Sequence, residues 1–506
     1  MTRSIHIGLF ALVALISAIF LGRYIVNAPN YTDAYYYLNI ANRIADGKGL
    51  TDATLFTYIG ATDGLPQPSH LYWMPLTSLI AGVSMALFNA PYNYVVAQLP
   101  FIALAWIAGM VGFWVGNHVG KTPRHAWMGG LLTLFSGFYA RYWGVIDGFA
   151  PYAVFGAGAL IAIGLALENS AIRRQMGWWG VAGILSGFGH LTRADGLLLL
   201  LVAGIILVFH PEKRATKLRL LICLLAGYLL IMGGWFIRNM SEIGSPLPIG
   251  GAQGIWYREY DDLFAYPTIN TPQTFFEDGL GVMVQSRSTA LIQNMLTFIA
   301  VQGMVIMTPF MCLALWKRRK NRFLWAFALY AIGLHVVMTV VFPFPGYRGG
   351  LLHSAIALIP FWGVLGVLGI DDVVDWISAR LEHWKPIRTK RIFSIVLLGL
   401  ALIMTATVSF RARSFPSTPQ LYQDLKGVLP PDAVLMINDP PALYYHAGFS
   451  GVVIPNADVS VIPEIAKRYG VTHVVIETFS GSIATPKQFI FDTDNPPSFL
   501  MPIESQ

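Results

Sequence analysis

Met74-Pro-Leu-Thr-Ser-Leu-Ile-Ala-Gly-Val-Ser-Met-Ala-Leu-Phe-Asn89 is a run of 16 mostly apolar residues, and whether it crosses a bilayer sets the topology of everything after it. A helical span needs about 20 such residues to match roughly 30 Å of hydrocarbon, so this run is short for a crossing. Other apolar runs of spanning or near-spanning length lie at about 5–27, 92–116, 126–139, 149–168, 178–192, 194–209, 218–237, 291–316, 323–342, 350–370 and 392–410. Basic residues arbitrate, because short inner loops collect Lys and Arg. With 74–89 held on one side, the inner loops carry Lys121 and Arg124; Arg173 and Arg174; Lys213, Arg214, Lys217 and Arg219. They also carry Lys317, Arg318, Arg319, Lys320 and Arg322, then Arg380, Lys385, Arg388, Lys390 and Arg391. With Arg3 these make 19 of the 34 Lys and Arg. A crossing at 74–89 would invert every later loop. The sequence therefore predicts a polytopic α-helical membrane protein of about 11 spans, N-terminus inside and C-terminus outside, in a plasma (inner) membrane.

Composition agrees. Of 506 residues, 55% are hydrophobic and only 12% charged, about half the roughly 25% charged content of soluble domains. Mean hydropathy is +0.56. Soluble enzyme, disordered chain, collagen and disulfide-rich secreted module are excluded. Cys223 and Cys312 both fall inside apolar runs, so the exported parts have no disulfide and a cysteine metal site is ruled out. The first run, Ile5 to Val26, is too long for a signal-peptide core and reads as an uncleaved span. The net charge of +7 is split among short loops with no exposed platform. It signals topology and contact with anionic membrane lipids rather than nucleic acid.

The chain divides on paper into a transmembrane region, 1–416, and a tail, 417–506. The transmembrane region has two long external loops, about 28–91 and 238–290, rich in Gly, Pro and aromatic residues. In the tail, Ala433–Ile437, Gly451–Ile454 and Thr472–Ile476 read as short strands and Ser460–Tyr469 as a helix, giving a small external α/β domain. On the inner side, Val373, Val374, Ile377 and Leu381 recur at helical spacing, which predicts a surface-lying helix over Asp371–Trp384.

Ionisable residues at membrane depth are costly and are functional candidates by default. Asp33, Arg141, Asp147, Arg193, Asp195, Arg238 and Arg348 all fall at outer ends of spans, where they could converge on one cavity or, for single arginines, snorkel to headgroups. Around Asp33, Thr32 reads as an N-cap and Gly47 as a stop, with an apolar stripe at 37, 38, 41, 44 and 45. Asp33 sits in the first turn, where the helix dipole favours a carboxylate. His190, His335 and His353 lie in or beside spans and read as packed, hydrogen-bonded side chains.

Several motifs resemble one family. Asp33-Ala-Tyr-Tyr-Tyr-Leu-Asn-Ile-Ala-Asn-Arg-Ile-Ala-Asp-Gly-Lys-Gly-Leu50 is similar to the first external loop of the GT-C glycosyltransferases, which include protein O-mannosyltransferases and the lipid A aminoarabinose transferase. Tyr72-Trp-Met-Pro-Leu76 resembles a degraded His-Pro-Pro-Leu element, with His70 upstream of Pro75 rather than beside it. Leu191-Thr-Arg-Ala-Asp-Gly196 resembles the family's Leu-Thr-Arg-x-Asp-Gly turn, and Trp235-Phe-Ile-Arg-Asn239 with Gly244-Ser-Pro-Leu-Pro248 is similar to another signature. Two features depart from it: Ala34 stands where O-mannosyltransferases have Glu, and the Trp-Trp-Asp-Tyr-Gly of oligosaccharyltransferases is missing.

The resemblance implies a sugar moved from a polyprenyl-phosphate-linked donor to a glycan, lipid or protein acceptor. A phosphate leaving group needs charge stabilisation rather than protonation, a task for arginine. Asp33 and Asp147 become the catalytic candidates, with Asp33 the base for the acceptor. Arg193, Asp195, Arg238, Tyr347, Arg348 and His70 become the substrate-binding set. Asp33 and Asp147 could together hold a divalent cation, Mg or Mn. A lipid or glycan transporter is the alternative, and an oligosaccharyltransferase-like enzyme the third reading. A transporter would show inverted repeats and mid-membrane charges, whereas here no repeat is visible and the charges gather at one face.

Overall fold

The computed structural model describes residues 3–277, 279–381, 384–413, 418–476, 497–501 and 503. Helices follow the apolar runs. α1 (Arg3–Ile19), α2 (Thr32–Ala45), α3 (Leu76–Leu87), α4 (Tyr94–Gly120), α5 (Pro123–Leu134) and α6 (Phe149–Glu168) come first. α7 (Ile172–Thr192), α8 (Leu197–Val208), α9 (Arg214–Ile243), α10 (Gly279–Leu296), α11 (Thr308–Lys317) and α12 (Trp325–Val336) follow. α13 (Leu351–Ala355), α14 (Ile359–Ser378), α15 (Pro386–Arg411), α16 (Gln420–Val428), α17 (Pro440–Ala447) and α18 (Ile462–Tyr469) complete the set used below.

Among the described residues, 7 helical stretches are long and apolar enough to cross a membrane: Ser4–Ile25, Tyr94–Gly120, Phe149–Glu168, Arg214–Ile243, Arg322–Val341, Pro343–Ser378 and Pro386–Arg411. The other expected spans are helical but less apolar (α7), short (α5 and α8, each 12 residues) or broken (α10–α11, by a turn around Gly303–Met307). Large apolar side chains face outward along these helices, Phe209 at 81%, Ile237 at 75% and Leu230 at 73% exposure. On a water-soluble surface such patches would be aggregation-prone; they suit contact with lipid chains.

The described chain forms two compact units, unit 1 from 1–27, 98–238 and 287–414, and unit 2 from 28–97, 239–286 and 415–506. Unit 1 is the helical bundle. One close seam joins α7 and α9, where a Cβ on Gly183 would collide with the Leu224 carbonyl and one on Gly227 with that of Gly180. Small residues at this spacing let backbones approach where burial of apolar surface gives no drive between helices. At the other end of unit 1 the expected surface helix over Asp371–Trp384 is not separate. α14 runs unbroken to Ser378, and Asp371 is buried, bonded to Arg124 and, at 2.9 Å, to His125 Nε2. A carboxylate held by a guanidinium and an imidazole of α5 has reason to stay in the bundle; residues 382–383 lie outside the described set.

Unit 2 draws on three distant stretches. β1 (Thr51–Asp52) pairs antiparallel with β3 (Gln67–Pro68). β2 (Thr54–Leu55) joins a parallel sheet of order β2-β5-β4-β6 with β4 (Val434–Ile437), β5 (Ser450–Val453) and β6 (His473–Val474). The expected tail strands and helix are all present, with the first loop supplying the edge strand. The second loop is tied in as well: Thr57 Oγ1 donates to Leu263 O at 2.6 Å, and Tyr266 OH donates to Glu464 at 2.6 Å. Tyr58 OH reaches Val453 O at 2.5 Å. These bonds put residues 51–58, 263–266 and 453–464 on one side of any bilayer.

That placement fixes the parity of crossings. An even number must separate the first loop from the second. The six spans expected from sequence over α4–α9, of which Tyr94–Gly120, Phe149–Glu168 and Arg214–Ile243 are long and apolar enough to cross, meet that condition; a crossing α3 would make seven. α3 instead packs on α2, with Ser78 Oγ donating to Tyr37 O at 2.9 Å and Gly82 facing Ala41 and Ile44.

Candidate active site

In unit 1 the chain enters α6 through a tight turn that buries Asp147 to 1% exposure. Its Oδ1 accepts from the Gly148 N–H at 2.5 Å, and its Oδ2 lies 3.1 Å from His353 Nε2. His353 Nδ1 is 2.9 Å from Gly349 O. A carbonyl only accepts, so Nδ1 carries a hydrogen. Nε2 then faces the carboxylate with a lone pair unless it takes a second proton or shares a cation with Asp147. The imidazole stacks on Phe149 at 4.1 Å, Phe149 stacks on Tyr142 at 4.1 Å, and the Arg141 guanidinium lies 4.8 Å over the Tyr142 ring.

The next residue, Ser354, links this pair to a second cluster. Ser354 Oγ donates to Asp195 Oδ2, while Arg193 Nε donates to Asp195 Oδ1 at 3.0 Å and to Ser354 Oγ at 2.8 Å. α7 ends at Thr192, and Arg193 turns extended before the short 3-10 helix Ala194–Gly196, which aims both charged side chains at α13. A Cβ on Gly148 would sit 3.5 Å from Arg193 Cγ, so the arginine stem covers the Asp147–Gly148 turn. Behind them Tyr330 OH reaches Ser354 O at 3.4 Å and shares a 2.8 Å bond with Tyr152 OH.

Arg348 belongs to the Gly346–Gly350 turn just before α13, where Gly349 takes φ 139°, a conformation that excludes other residues. Its side chain is exposed, and Tyr347 beside it is half-buried, 6.1 Å from Phe344. The Gly349–His353 bond ties this turn to Asp147. Arg238 sits on α9 with its guanidinium 5.0 Å over Trp235.

In unit 2 Asp33 is half-buried in the first turn of α2. The N-cap is Tyr31 rather than Thr32, whose hydroxyl is engaged elsewhere: it donates to Asp439 Oδ2 at 2.7 Å. Asp439 in turn caps α17, accepting from Ala442 N at 3.1 Å. Its burial raises its carboxyl above the ordinary range. Asn39 Nδ2 donates to Pro441 O at 2.8 Å and Arg43 reaches Tyr444 OH at 3.3 Å. α2 is therefore buried on two faces, by α3 and by α17, where the sequence predicted one apolar stripe. Tyr35 lies 3.1 Å from His446 Nε2; burial, with the Asp439 charge adding, pushes its phenol up to about 12, and burial takes His446 down to about 4. His70 is fully buried, its N–H donating to Tyr36 OH at 2.8 Å and its ring edge-on to Tyr36 at 5.5 Å.

Of the sequence candidates, the structure groups Asp147, Arg193 and Asp195, with the Arg348 turn attached, in unit 1. It places Asp33 and His70 in unit 2. Sequence reasoning passed over His353 and Ser354. The other two span histidines are ordinary packed groups, His190 2.6 Å from Tyr228 OH and His335 2.8 Å from Ala331 O. What distinguished His353 was its position one helical turn after Gly349, beside the only charge of a Gly/Pro-rich turn.

No protein-family model and no curated protein matches the sequence. Solved structures do. Archaeal oligosaccharyltransferase AglB from Archaeoglobus fulgidus, in complex with an inhibitory peptide and a dolichol-phosphate, superposes with TM-score 0.59 at 13% identity, over 94% of this chain and 69% of its own. An Archaeoglobus fulgidus oligosaccharyltransferase in complex with Zn and sulfate gives TM-score 0.60 at 14% identity, over 93% and 68%. ArnT from Cupriavidus metallidurans, bound to undecaprenyl phosphate, gives 0.58 at 15% identity, over 93% and 90%. The chain has the fold of these polytopic membrane glycosyltransferases, the GT-C fold that its motifs resemble.

Proposed function

We propose that this protein is a glycosyltransferase that moves a sugar from a polyprenyl-phosphate donor to an acceptor hydroxyl or amine on the outer face of the plasma membrane. The observation that carries the reading is the joining of Asp147–His353 to Arg193–Asp195 through consecutive residues of α13. With Nε held by Asp195 and Ser354, the plane of the Arg193 guanidinium is set, and a donor phosphate would be taken on its terminal nitrogens. Arg348, exposed on its glycine-rich turn, supplies a second positive charge to the same phosphate. The acceptor O–H or N–H bonds to the sugar's anomeric carbon as the carbon–oxygen bond to phosphate breaks. The proton passes to Asp33, and polyprenyl phosphate leaves with its charge met by arginine rather than by a proton.

A divalent cation fits the donor set. One carboxylate oxygen and one imidazole nitrogen face each other at 3.1 Å, in the tautomer that offers Nε2 as a lone pair. Asp147 and His353 would hold such an ion, and the Nδ1–Gly349 bond is the kind of outer contact that orients a ligating histidine. When bound, it would lend positive charge to the donor phosphate.

Mass spectrometry of lipid-linked glycans and envelope polymers tests the proposal. A deletion strain should accumulate a polyprenyl-phosphate monosaccharide and lose one glycan modification, and Asp147→Asn should fail to restore it. Identical profiles in deletion and parent strains would overturn the assignment.

A further inference from the structure

A cavity of about 770 Å³ opens in unit 1 at the far ends of α6 and α7. Asp147 and Arg193 lie at the N-terminal end of α6 and the C-terminal end of α7, whereas the cavity takes Leu167 and Gln175 from the opposite ends. The 20 residues of α6 separate the two places by about 30 Å. This cavity is therefore not part of the candidate active site. Its volume falls within the range of small-molecule sites, roughly 300–1,000 Å³.

The walls are of two kinds. Ile205, Ile206, Phe209 and Leu329 form an apolar side, and Phe209 and Ile205 continue onto the exposed, lipid-facing surface of α8. The polar side holds Gln175, His210, Glu212 and Arg322. Gln175 and His210 are 4% and 7% exposed, yet Gln175 Oε1 and His210 Nδ1 have no hydrogen-bond partner among the described residues. Gln175 Nε2 is fixed by a 2.7 Å bond to Asn169 O, which leaves Oε1 turned as an acceptor. Leaving two such buried polar atoms unmet costs about as much as the hydrogen bonds they lack. A ligand would supply them.

The chemistry of that ligand can be read from the atoms. An apolar wall continuous with the lipid-facing surface calls for an acyl chain. The Arg322 guanidinium calls for an anion, and Arg binds phosphate well. Gln175 Oε1 can only accept, so the headgroup must also carry a hydroxyl or ammonium donor. We infer that this cavity binds a membrane phospholipid whose phosphate headgroup bears a hydroxyl or ammonium donor. Its phosphate sits at Arg322 and its donor at Gln175, with Glu212 at hand for an ammonium. A bare polyprenyl phosphate has the chain and the anion but not the donor, and phosphatidylcholine has the phosphate but no donor.

Native mass spectrometry of the full-length, delipidated protein tests this, with phosphatidylglycerol, phosphatidylethanolamine, phosphatidylcholine and undecaprenyl phosphate added singly. The glycerol and ethanolamine lipids should be retained about two- to tenfold better than phosphatidylcholine and undecaprenyl phosphate, the span expected for one net hydrogen bond. Gln175→Leu should erase that preference. Arg322→Ala, at an exposed position that leaves the bundle intact, should weaken all four lipids. Equal retention of phosphatidylcholine, tighter retention of undecaprenyl phosphate, or an unchanged profile in a folded Arg322→Ala protein would each overturn the assignment.

Discussion

Asp147 meets His353 at 3.1 Å and Asp371 meets His125 at 2.9 Å, two aspartate–histidine contacts of similar length at opposite ends of the same bundle. Their surroundings differ. Asp371 also takes Arg124, which donates to Ser394 Oγ at 2.7 Å, so the group clamps α5, α14 and α15 with its charge balanced by a guanidinium. Near Asp147 the arginine is Arg193, and Asp195 already neutralises it. The Asp147–His353 pair is tied instead to the backbone of its own turns, Asp147 to the Gly148 N–H and His353 to the Gly349 carbonyl. The same two side chains are fastened to a guanidinium at one end of the bundle and to the backbone of two turns at the other.

The largest effect expected is on Asp33, which lies in neither pair: Asp33→Asn should lower transfer by about 10²-fold or more with folding intact, the loss typical of a missing general base. Near-normal turnover would leave it a helix-end charge. The two pairs should then part company. Asp147→Asn and His353→Ala should each cut activity about 10- to 100-fold and weaken divalent-cation binding in calorimetry, with unfolding temperature little changed. Asp371→Asn should do the reverse, costing about 1–3 kcal/mol because the part-buried Arg124 loses its carboxylate partner and keeps Ser394, while the protein that folds turns over normally. Metal binding that disappears in Asp371→Asn, and survives Asp147→Asn, would break the contrast.

Arg348 comes next. Arg348→Ala should raise the apparent donor KM about tenfold, and Arg348→Lys less, because lysine keeps the charge and loses the planar fork. Donor titration of the purified variants decides this, and an unchanged KM in Arg348→Ala would remove the residue from the site.

The smallest effect lies in unit 2, at Asp52, whose burial raises its carboxyl from 3.8 to about 6. A folded pKa above the unfolded one means the native state holds the proton more tightly, so stability contributed by Asp52 is present below about pH 4 and is lost as pH rises through about 6. Its Oδ1 accepts from Thr54 N and Oγ1, each at 2.8 Å, and an asparagine oxygen can accept both. Asp52→Asn should therefore raise stability at pH 7.5 by about 1 kcal/mol and flatten the slope between pH 4 and 6 in thermal melts. A loss of stability at pH 7.5 would show that the charge is needed.

How far these features could be read from sequence follows from how local their causes are. Seven spans were legible because lipid demands a long apolar run regardless of neighbours, whereas α3, no shorter than α5 and α8, was set apart from them by the basic loops alone. α2 was legible as a helix, ending before Gly47 at φ 74°. Its cap was not, because Thr32 turns to Asp439, 407 residues away. Nor was its second buried face, which depends on α17. Asp371 looked like the start of a surface helix because nothing nearby shows that Arg124 and His125 will claim it. Asp147, Arg193 and Asp195 stood out as charges in apolar company, whereas a single histidine in a span carries no such mark until a carboxylate is found opposite its ring.

The sheet of unit 2 has a consequence for biogenesis. β2 is synthesised early, yet its partner β5 and the Val453 carbonyl that receives Tyr58 arrive 395 residues later. At ordinary elongation rates of about 5–20 residues per second, the ribosome needs roughly 20–80 s to deliver them. Throughout that interval the first loop waits as an open strand edge, the kind of surface that invites wrong pairing. The antiparallel pairing of β1 with β3 is local and can form at once, holding the loop in shape around β2 until the tail emerges. A ribosome stalled before residue 450 would leave a nascent chain with most of its helices made and the sheet of unit 2 unclosed, a natural mark for quality-control proteases.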